Sequence, residues 1–391
     1  MRIYLDNHST TRLDPRVLEA MLPWLTDRYG NAGSATHEMG REARGAVDEA
    51  REAAAAAIGA TPREIVFTSG ATESNNIAIL GHAARTPPAR RHVVTVATEH
   101  NAVLDPVGHL ERTGFAVTRL AVEPGTGRVP PAAVAAALRP DTFLVSVMLA
   151  NNEIGVVQDM PAIAARVHAH GAVLHVDCAQ ALGRMPVAVD GLGADLASFS
   201  AHKFHGPKGA GLLYVRRRER VVRIDPLVHG GGQERGMRSG TLDVPAIVGL
   251  ATAARLAVGA LGTEPARLRA LRDRLWRLLR EGVAGATLNG PPLDDPAVRL
   301  VNNLNVRIPG VDGHSLLATL SADGLALSSG SACSSESPRP SHVLLALGLT
   351  EDEARASLRF GLSRFTTEAE IDAAAERIAA GVGRLRGGMT G

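Results

Sequence analysis

Lysine is almost absent from this chain: of 42 basic side chains 40 are arginine, and the two lysines, Lys203 and Lys208, fall in one short stretch. A guanidinium keeps its proton and cannot act as an amine nucleophile or proton shuttle, so a lysine kept in an arginine-rich chain marks a place where an amine is of use. Coding bias with two chance survivors is the competing account. The stretch reads Ser200-Ala201-His202-Lys203-Phe204-His205-Gly206-Pro207-Lys208-Gly209 and follows an apolar run of strand length. Strand ends are where open α/β sheets bind ligands, and this one offers a hydroxyl, an imidazole and an amine side by side. No Gly-Lys-Ser/Thr follows a spaced glycine, so a Walker-type phosphate loop is excluded. His202 and His205 lack a carboxylate or cysteine to complete a metal set. A Schiff-base amine at Lys203 accounts for the retention and for the company it keeps.

A Schiff-base lysine points to pyridoxal phosphate, which needs an acid for its ring nitrogen, donors for its phosphate and a group packed on its ring. The run Val173-Leu174-His175-Val176-Asp177 ends on an acid; Asp177 could equally cap the turn that follows. Phe67 to Asn76 reads as a strand, a turn at Gly70 and a helix start, whose free N–H groups and Thr72 hydroxyl suit an anion. Of two cysteines, Cys333 sits among small polar residues from Ser328 to Ser337, the setting of an exposed reactive thiol, whereas Cys178 follows a strand end and is expected only to pack.

These residues need elements to hold them. Apolar runs at Glu64–Thr68, His92–Ala97, Phe143–Leu149, Val173–Asp177, Asp195–Ser200 and Gly211–Val215 alternate with Ala- and Arg-rich segments such as Arg41–Ala57, Val129–Leu138 and Ile163–His170. Alternation of near-continuous apolar strands with helices predicts an α/β fold, a mainly parallel sheet covered on both faces. The pattern changes near residue 260. Glu264–Glu281 reads as an amphipathic surface helix, Val301–Ile308 as a strand with alternating polar residues, and Thr367–Arg384 as a last helix, which together predict a smaller α+β domain.

A net charge of +2 argues against a protein held to nucleic acid by phosphate neutralisation. The run Arg216-Arg217-Arg218-Glu219-Arg220 is read as a solvated strand end and not as a binding patch. Two cysteines give neither a disulfide framework nor a zinc spacing. No stretch approaches the ~18 apolar residues of a membrane helix and the start has no apolar leader, so the expected location is the cytoplasm, with no membrane partner.

Taken together and in order, several motifs resemble the cysteine desulfurases of the class V aminotransferase family. They are Tyr4 to Thr11, Ser69 to Ser74, Thr98-Glu99-His100, Asn151 to Gly155, His175-Val176-Asp177, Ser200 to Lys203, Arg235 to Thr241 and Ser328 to Cys333. The resemblance implies a homodimer of pyridoxal-phosphate enzymes of fold type I. A large domain at 16–259 would hold a mainly parallel seven-stranded sheet, and residues 1–15 with 260–391 a small domain bearing a mobile cysteine loop at about 328–340. Lys203 would carry the cofactor and move protons, His100 would stack on its ring, Asp177 would pair with the ring nitrogen and Gln180 with the ring hydroxyl. Ala71, Thr72, Ser200 and His202 would hold the phosphate, with Thr241 crossing from the second subunit. Asn151 and Arg359 would hold the carboxylate of L-cysteine.

Cys333 would take the substrate's sulfur as a persulfide and pass it to an acceptor protein for iron–sulfur cluster, thio-cofactor or tRNA biosynthesis. No intrinsic metal site is read, although Cys333 could briefly ligate iron together with a scaffold. The chain ends at Gly391, without the longer tail by which housekeeping members dock such a scaffold. A selenocysteine lyase or another class V reaction is the alternative enzyme, and a sulfur carrier without chemistry the non-enzymatic one. Lys208 is given no role.

Overall fold

The structure is a computed structural model that describes residues 2–329 and 339–387. Its strands are β1 (Ile3–Tyr4), β2 (Ile65–Thr68), β3 (His92–Val96), β4 (Ala116–Leu120), β5 (Thr142–Met148), β6 (Val173–Asp177) and β7 (Leu196–Ser200). They continue as β8 (Gly211–Val215), β9 (Thr287–Leu288), β10 (Asn303–Arg307), β11 (Leu325–Ala326), β12 (Ser328–Ser329) and β13 (Ser357–Gly361).

A seven-stranded sheet runs in the order β2-β8-β7-β6-β5-β3-β4. Only β8 is antiparallel to its neighbours, β2 and β7; the others pair in parallel. Each strand sends alternate side chains to two apolar layers. Ile65, Phe67, Val94, Val96, Leu212 and Tyr214 join a core with the helices Glu38–Ala57, Met160–His170 and Val244–Gly259. Val66, Val93 and Leu213 face the other way, under the helical run at 77–85 and helix Asn101–Arg112. Sheet faces covered on both sides explain why the strands read as unbroken apolar runs. Helix ends follow local chemistry: Asp159 and Asp243 accept from the amides of Ala162 and Ala246, and Gly171 closes its helix at φ 81°.

The seven strands match the number the resemblance implies, while the apolar runs alone pick out six and miss β4. It lies at the sheet edge, and its half-exposed Ala116-Val117-Thr118-Arg119 is too polar to stand out as an apolar run. The arginine run departs from its reading at one residue. Arg216 is buried and bridges Asp190 and Asp195, and Arg218 meets Glu64 and Asp190, while Arg217 stays exposed as the reading expects.

A second apolar cluster is built on the helices Glu264–Gly282, Gly313–Ala322 and Glu368–Gly387, and it takes in Ile3 and Leu5 from the start of the chain. Here β1 pairs with β11, and β12-β13-β10-β9 form an antiparallel sheet. The helix Glu264–Gly282 buries Leu268, Leu271, Leu275 and Leu279 along one stripe, as its spacing predicts. The alternating asparagines of β10 behave differently from expectation: Asn303 and Asn305 are fully buried. They turn towards the large sheet and not towards solvent. No single helix among the described residues is long and apolar enough to cross a membrane.

Candidate active site

A cavity of about 1040 Å³ opens where the C-terminal ends of the parallel strands meet the polar face of the small sheet. Its wall includes His100, Asp177, Gln180, Ser200, His202, Lys203, Ala71, Thr72 and Arg359. Residues far apart in the chain thus share one space.

Lys203 sits in a single 3-10 turn that follows β7. The turn is strapped down by the N-terminal segment: the amide and hydroxyl of Thr11 both donate to the His202 carbonyl, and His205 donates its amide to Thr11 Oγ1. His205 takes φ 69°, a conformation disfavoured for a residue with a Cβ and held here by these contacts. Lys203 Nζ donates to the carbonyls of His8 and Ser9 at 2.6 and 2.7 Å.

Asp177 ends β6 and is 4 % exposed. Its capping reading holds: Oδ1 accepts from the Ala179 amide at 2.9 Å, while Oδ2 accepts from Asn75 Nδ2 at 2.8 Å. No ion pair reaches Asp177 among the described residues, although it lines the cavity. A buried carboxylate without a cation calls for one. The ring nitrogen of pyridoxal phosphate, protonated, meets that need, so the site fits the cofactor on the chemistry of its own wall.

The opposite end of the cavity suits an anion. The helical run from Ala71 begins at Gly70, and its first amides have no acceptor within the helix. Gly211 lets this turn lie against β8, since a Cβ there would come within 2.4 Å of the Gly70 Cα. Burial, then the charges of Lys203 and Lys208, press the His202 imidazole down to about 4, leaving a neutral ring that can donate an N–H. Lys208 also lines the cavity, which gives this lysine a position the sequence did not.

His100 begins the helix Asn101–Arg112 and its Nδ1 accepts from the Ala102 amide at 3.0 Å, which places the neutral ring's proton on Nε2. Gln180 spans 2.9–3.0 Å contacts to the carbonyl and ring of His8. Arg359 on β13 is 1 % exposed and bonds Asp6 Oδ1 at 2.8 Å and Ser9 Oγ at 3.2 Å. Its Nε is buried without a partner, so donors remain for a bound carboxylate.

Two of the candidates stand elsewhere. Asn151 keeps its amide inside the protein, donating to the Thr98 carbonyl and accepting from the amides of Glu153 and Ile154. Thr241 is exposed and does not line this chain's cavity. Cys333 lies outside the described residues. Sequence reasoning missed Asn75, Asp6, His8, Glu153 and Asn303, and the run of polar residues from Asp6 to Thr11, with no helical or strand period, was the available signal for the first strap. Among the described residues no cluster of His, Cys, Asp or Glu could hold a metal ion.

A mainly parallel sheet with a lysine after one strand, an acid at the end of the next and an anion-binding turn beyond defines a fold type I pyridoxal-phosphate enzyme. The class-V aminotransferase sequence pattern matches residues 3–374, and the chain belongs to that family. It is 50% identical over 385 residues to the cysteine desulfurase IscS of Methylobacillus flagellatus, covering 98% of this chain and 93% of that one. A solved NifS-like protein superposes with a TM-score of 0.90 at 40% identity, over 97% of this chain and 99% of its own. SspA, solved in complex with cysteine, gives 0.80 at 36% identity over 93% and 100% of the two chains.

Proposed function

We propose that this protein is a pyridoxal-phosphate cysteine desulfurase that converts L-cysteine to L-alanine and passes the sulfur on as a persulfide, supplying iron–sulfur cluster assembly. The observation that carries this reading is the convergence of Lys203, Asp177 and His100 on one cavity, with Arg359 on the facing wall. Bound there, pyridoxal phosphate would supply the electron sink that acidifies the Cα–H of an amino acid.

The chain's own residues divide the remaining work. Asp177, kept in place by Asn75 and Ala179, would sit against the ring nitrogen, and Ala71, Thr72, Ser200 and His202 would take the phosphate. Lys203 Nζ would hold the cofactor and carry protons at the substrate Cα. His100, with its Nδ1 committed to the Ala102 amide, would offer Nε2–H and a flat face over the ring. Arg359 would orient the substrate carboxylate through its unspent donors, and Asn151 would shape the loop beside it. The Cys333 thiolate would then attack the substrate sulfur: a new S–S bond forms on the chain, the C–S bond breaks, and the carbon skeleton takes up protons and leaves as alanine. The large domain, at 16–259, supplies the cofactor's side of the cavity, and the ends of the chain the substrate's side.

Exposure of Thr241 away from its own cavity supports a homodimer in which each chain lends this residue to the other. The outward acceptor would be a cytoplasmic sulfur-receiving protein. The test is to measure alanine and sulfur released from L-cysteine by wild type, Lys203→Ala and Cys333→Ala. Both variants are expected to lose turnover, and Lys203→Ala also the yellow colour of the bound cofactor. Undiminished turnover in Cys333→Ala would sink the persulfide route.

A further inference from the structure

One buried side chain of the N-terminal strap is not used by that chemistry. His8 is 1 % exposed and both its ring nitrogens meet amides: Nδ1 lies 3.0 Å from Gln180 Oε1, and Nε2 lies 3.2 Å from Asn303 Nδ2. The direction of every hydrogen bond in this chain follows from its far end. Arg299 is fully buried and can only donate; its Nη2 lies 3.0 Å from Asn303 Oδ1, which must accept. The Asn303 nitrogen therefore points the other way, donating to the Glu153 carbonyl at 3.0 Å and to His8 Nε2. An accepting Nε2 leaves the imidazole proton on Nδ1, which donates to Gln180 Oε1.

The second contact of Gln180 agrees. Its Nε2 donates to the His8 carbonyl at 2.9 Å, so turning the amide over would set donor against donor at the ring and acceptor against acceptor at the carbonyl. Gln180 Nε2 has another N–H, which meets no acceptor among the described residues, on a side chain that lines the cavity. Burial, followed by the charge of Arg359 and then those of Arg184 and Lys203, presses the imidazole down to about 3, although its bond to Gln180 pulls the other way. The ring stays neutral, as a one-way relay requires.

We propose that His8 is a positioning residue: as the Nδ1–H tautomer it relays hydrogen-bond polarity from Arg299 and Asn303 of the small sheet to Gln180, fixing that amide with its nitrogen towards the cofactor's ring oxygen. The proposal rests on the cofactor reading above. A donor at this point stabilises the ring oxygen as an anion, whereas a turned amide would present a carbonyl and repel it. His8 also holds Lys203 Nζ on its own carbonyl, so one residue sets two groups that face the cofactor.

Two measurements test the relay. Nitrogen-15 NMR of histidine-labelled protein, with His8→Gln used for assignment, is expected to show His8 neutral with the proton on Nδ1 from about pH 5 to about pH 8. A proton on Nε2, or a titration within that range, overturns the proposal, and the wild type suffices for this arm. In the second, Asn303→Asp replaces the donor facing His8 by an acceptor and reverses the chain. The pH midpoint of the bound cofactor's visible band is then expected to rise by about one unit or more, the worth of a donor lost from a charged oxygen. In a Gln180→Ala background that rise should vanish. A rise that persists there travels through charge alone and overturns the relay, as does an unchanged midpoint in Asn303→Asp. Absence of any visible band in the wild type supplied with pyridoxal phosphate would instead remove the cofactor reading.

Discussion

The two sheets reach the cavity by different routes. The seven-stranded sheet satisfies its few buried polar side chains among its own strands, as His175 does between Ser146 and Ser198, and reaches the cavity from its strand ends, where β6 delivers Asp177 and the turn after β7 delivers Lys203. The four-stranded sheet acts from a face: Asn305 on β10 lies in register with Arg359 on β13, and Asn303 stands two residues away on the same side. A strand end can place one side chain in a cavity while the strand behind it settles its own polar groups with its neighbours in the sheet. A polar strand face has no such freedom, because each buried group needs a partner from across the cleft. The large sheet thus supplies groups held by neighbours close to its own strand ends, and the small sheet supplies groups bound into a network across the cleft.

That contrast predicts where a single substitution does most harm. Asp177→Ala removes the acid at a strand end, and it leaves the proposed ring cation buried without its partner. Losing one member of a buried charge pair costs about 4 kcal/mol, so turnover of cysteine should fall on the order of 10³-fold. Steady-state kinetics with saturating cofactor measure it. Asn75→Ala leaves the carboxylate charged and should cost less; an equal loss in the two variants would mean that Asp177 also works as part of a network.

The next effect belongs to the network side. Glu153 is wholly buried, hydrogen-bonded to Ser341, and burial pushes its carboxyl up from 4.5 to about 7 despite the Ser341 hydroxyl and the Arg359 charge. A carboxyl raised in the folded state keeps a proton that the unfolded chain gives up, so its contribution is full below pH 4.5 and is lost as pH rises towards about 7. The loss across that window is roughly 3 kcal/mol. His175 and His202, both pressed down to about 4 by burial, work in the opposite sense over much of the same range, so the raw curve is a sum. The difference between wild type and Glu153→Gln isolates the carboxyl. In urea unfolding, the variant should gain on the wild type steadily between those two pH values. A constant gap would mean that Glu153 is ionised throughout.

Arg359 tests where the two regions meet. Arg359→Lys keeps the charge but loses the fork that serves Asp6, Ser9 and a carboxylate together, and about 2 kcal/mol of substrate binding should go with it. That is a rise in KM for cysteine of about 30-fold with kcat within a fewfold. A fall in kcat with KM unchanged would place Arg359 in the chemical step and not in holding the substrate.

The same contrast explains what could be read from the residues alone. Strand ends are punctuated by Gly, Ser and Asn, so Lys203, Asp177, Ser200 and the turn at Ala71 and Thr72 stood out with the sheet that carries them. Asn303 and Asn305 alternate with apolar neighbours as any half-exposed strand does. Nothing local distinguishes a face turned to water from one turned to a buried network. His8 reaches Lys203 across 195 residues of chain, a contact set by packing and invisible to local pattern. Arg216 looked like a solvated cation because its acidic partners, Asp190 and Asp195, lie on other segments.

The smallest effect should come from Cys178, which shares its type with the proposed nucleophile and little else. It is fully buried in the core of the large sheet, and burial together with the Asp177 charge pushes its thiol well above the ordinary value. Such a thiol forms no thiolate at neutral pH and meets no reagent from solvent. Cys178→Ala should therefore cost only the packing of one sulfur, about 1 kcal/mol in urea unfolding, with desulfuration unchanged. With two cysteines in the chain, thiol labelling separates them: native wild type should react at one site, and native Cys333→Ala at none until it is unfolded. Fast labelling of native Cys333→Ala would show that the large sheet opens on the timescale of the reagent, and the picture of a rigid apolar support would fail at its centre.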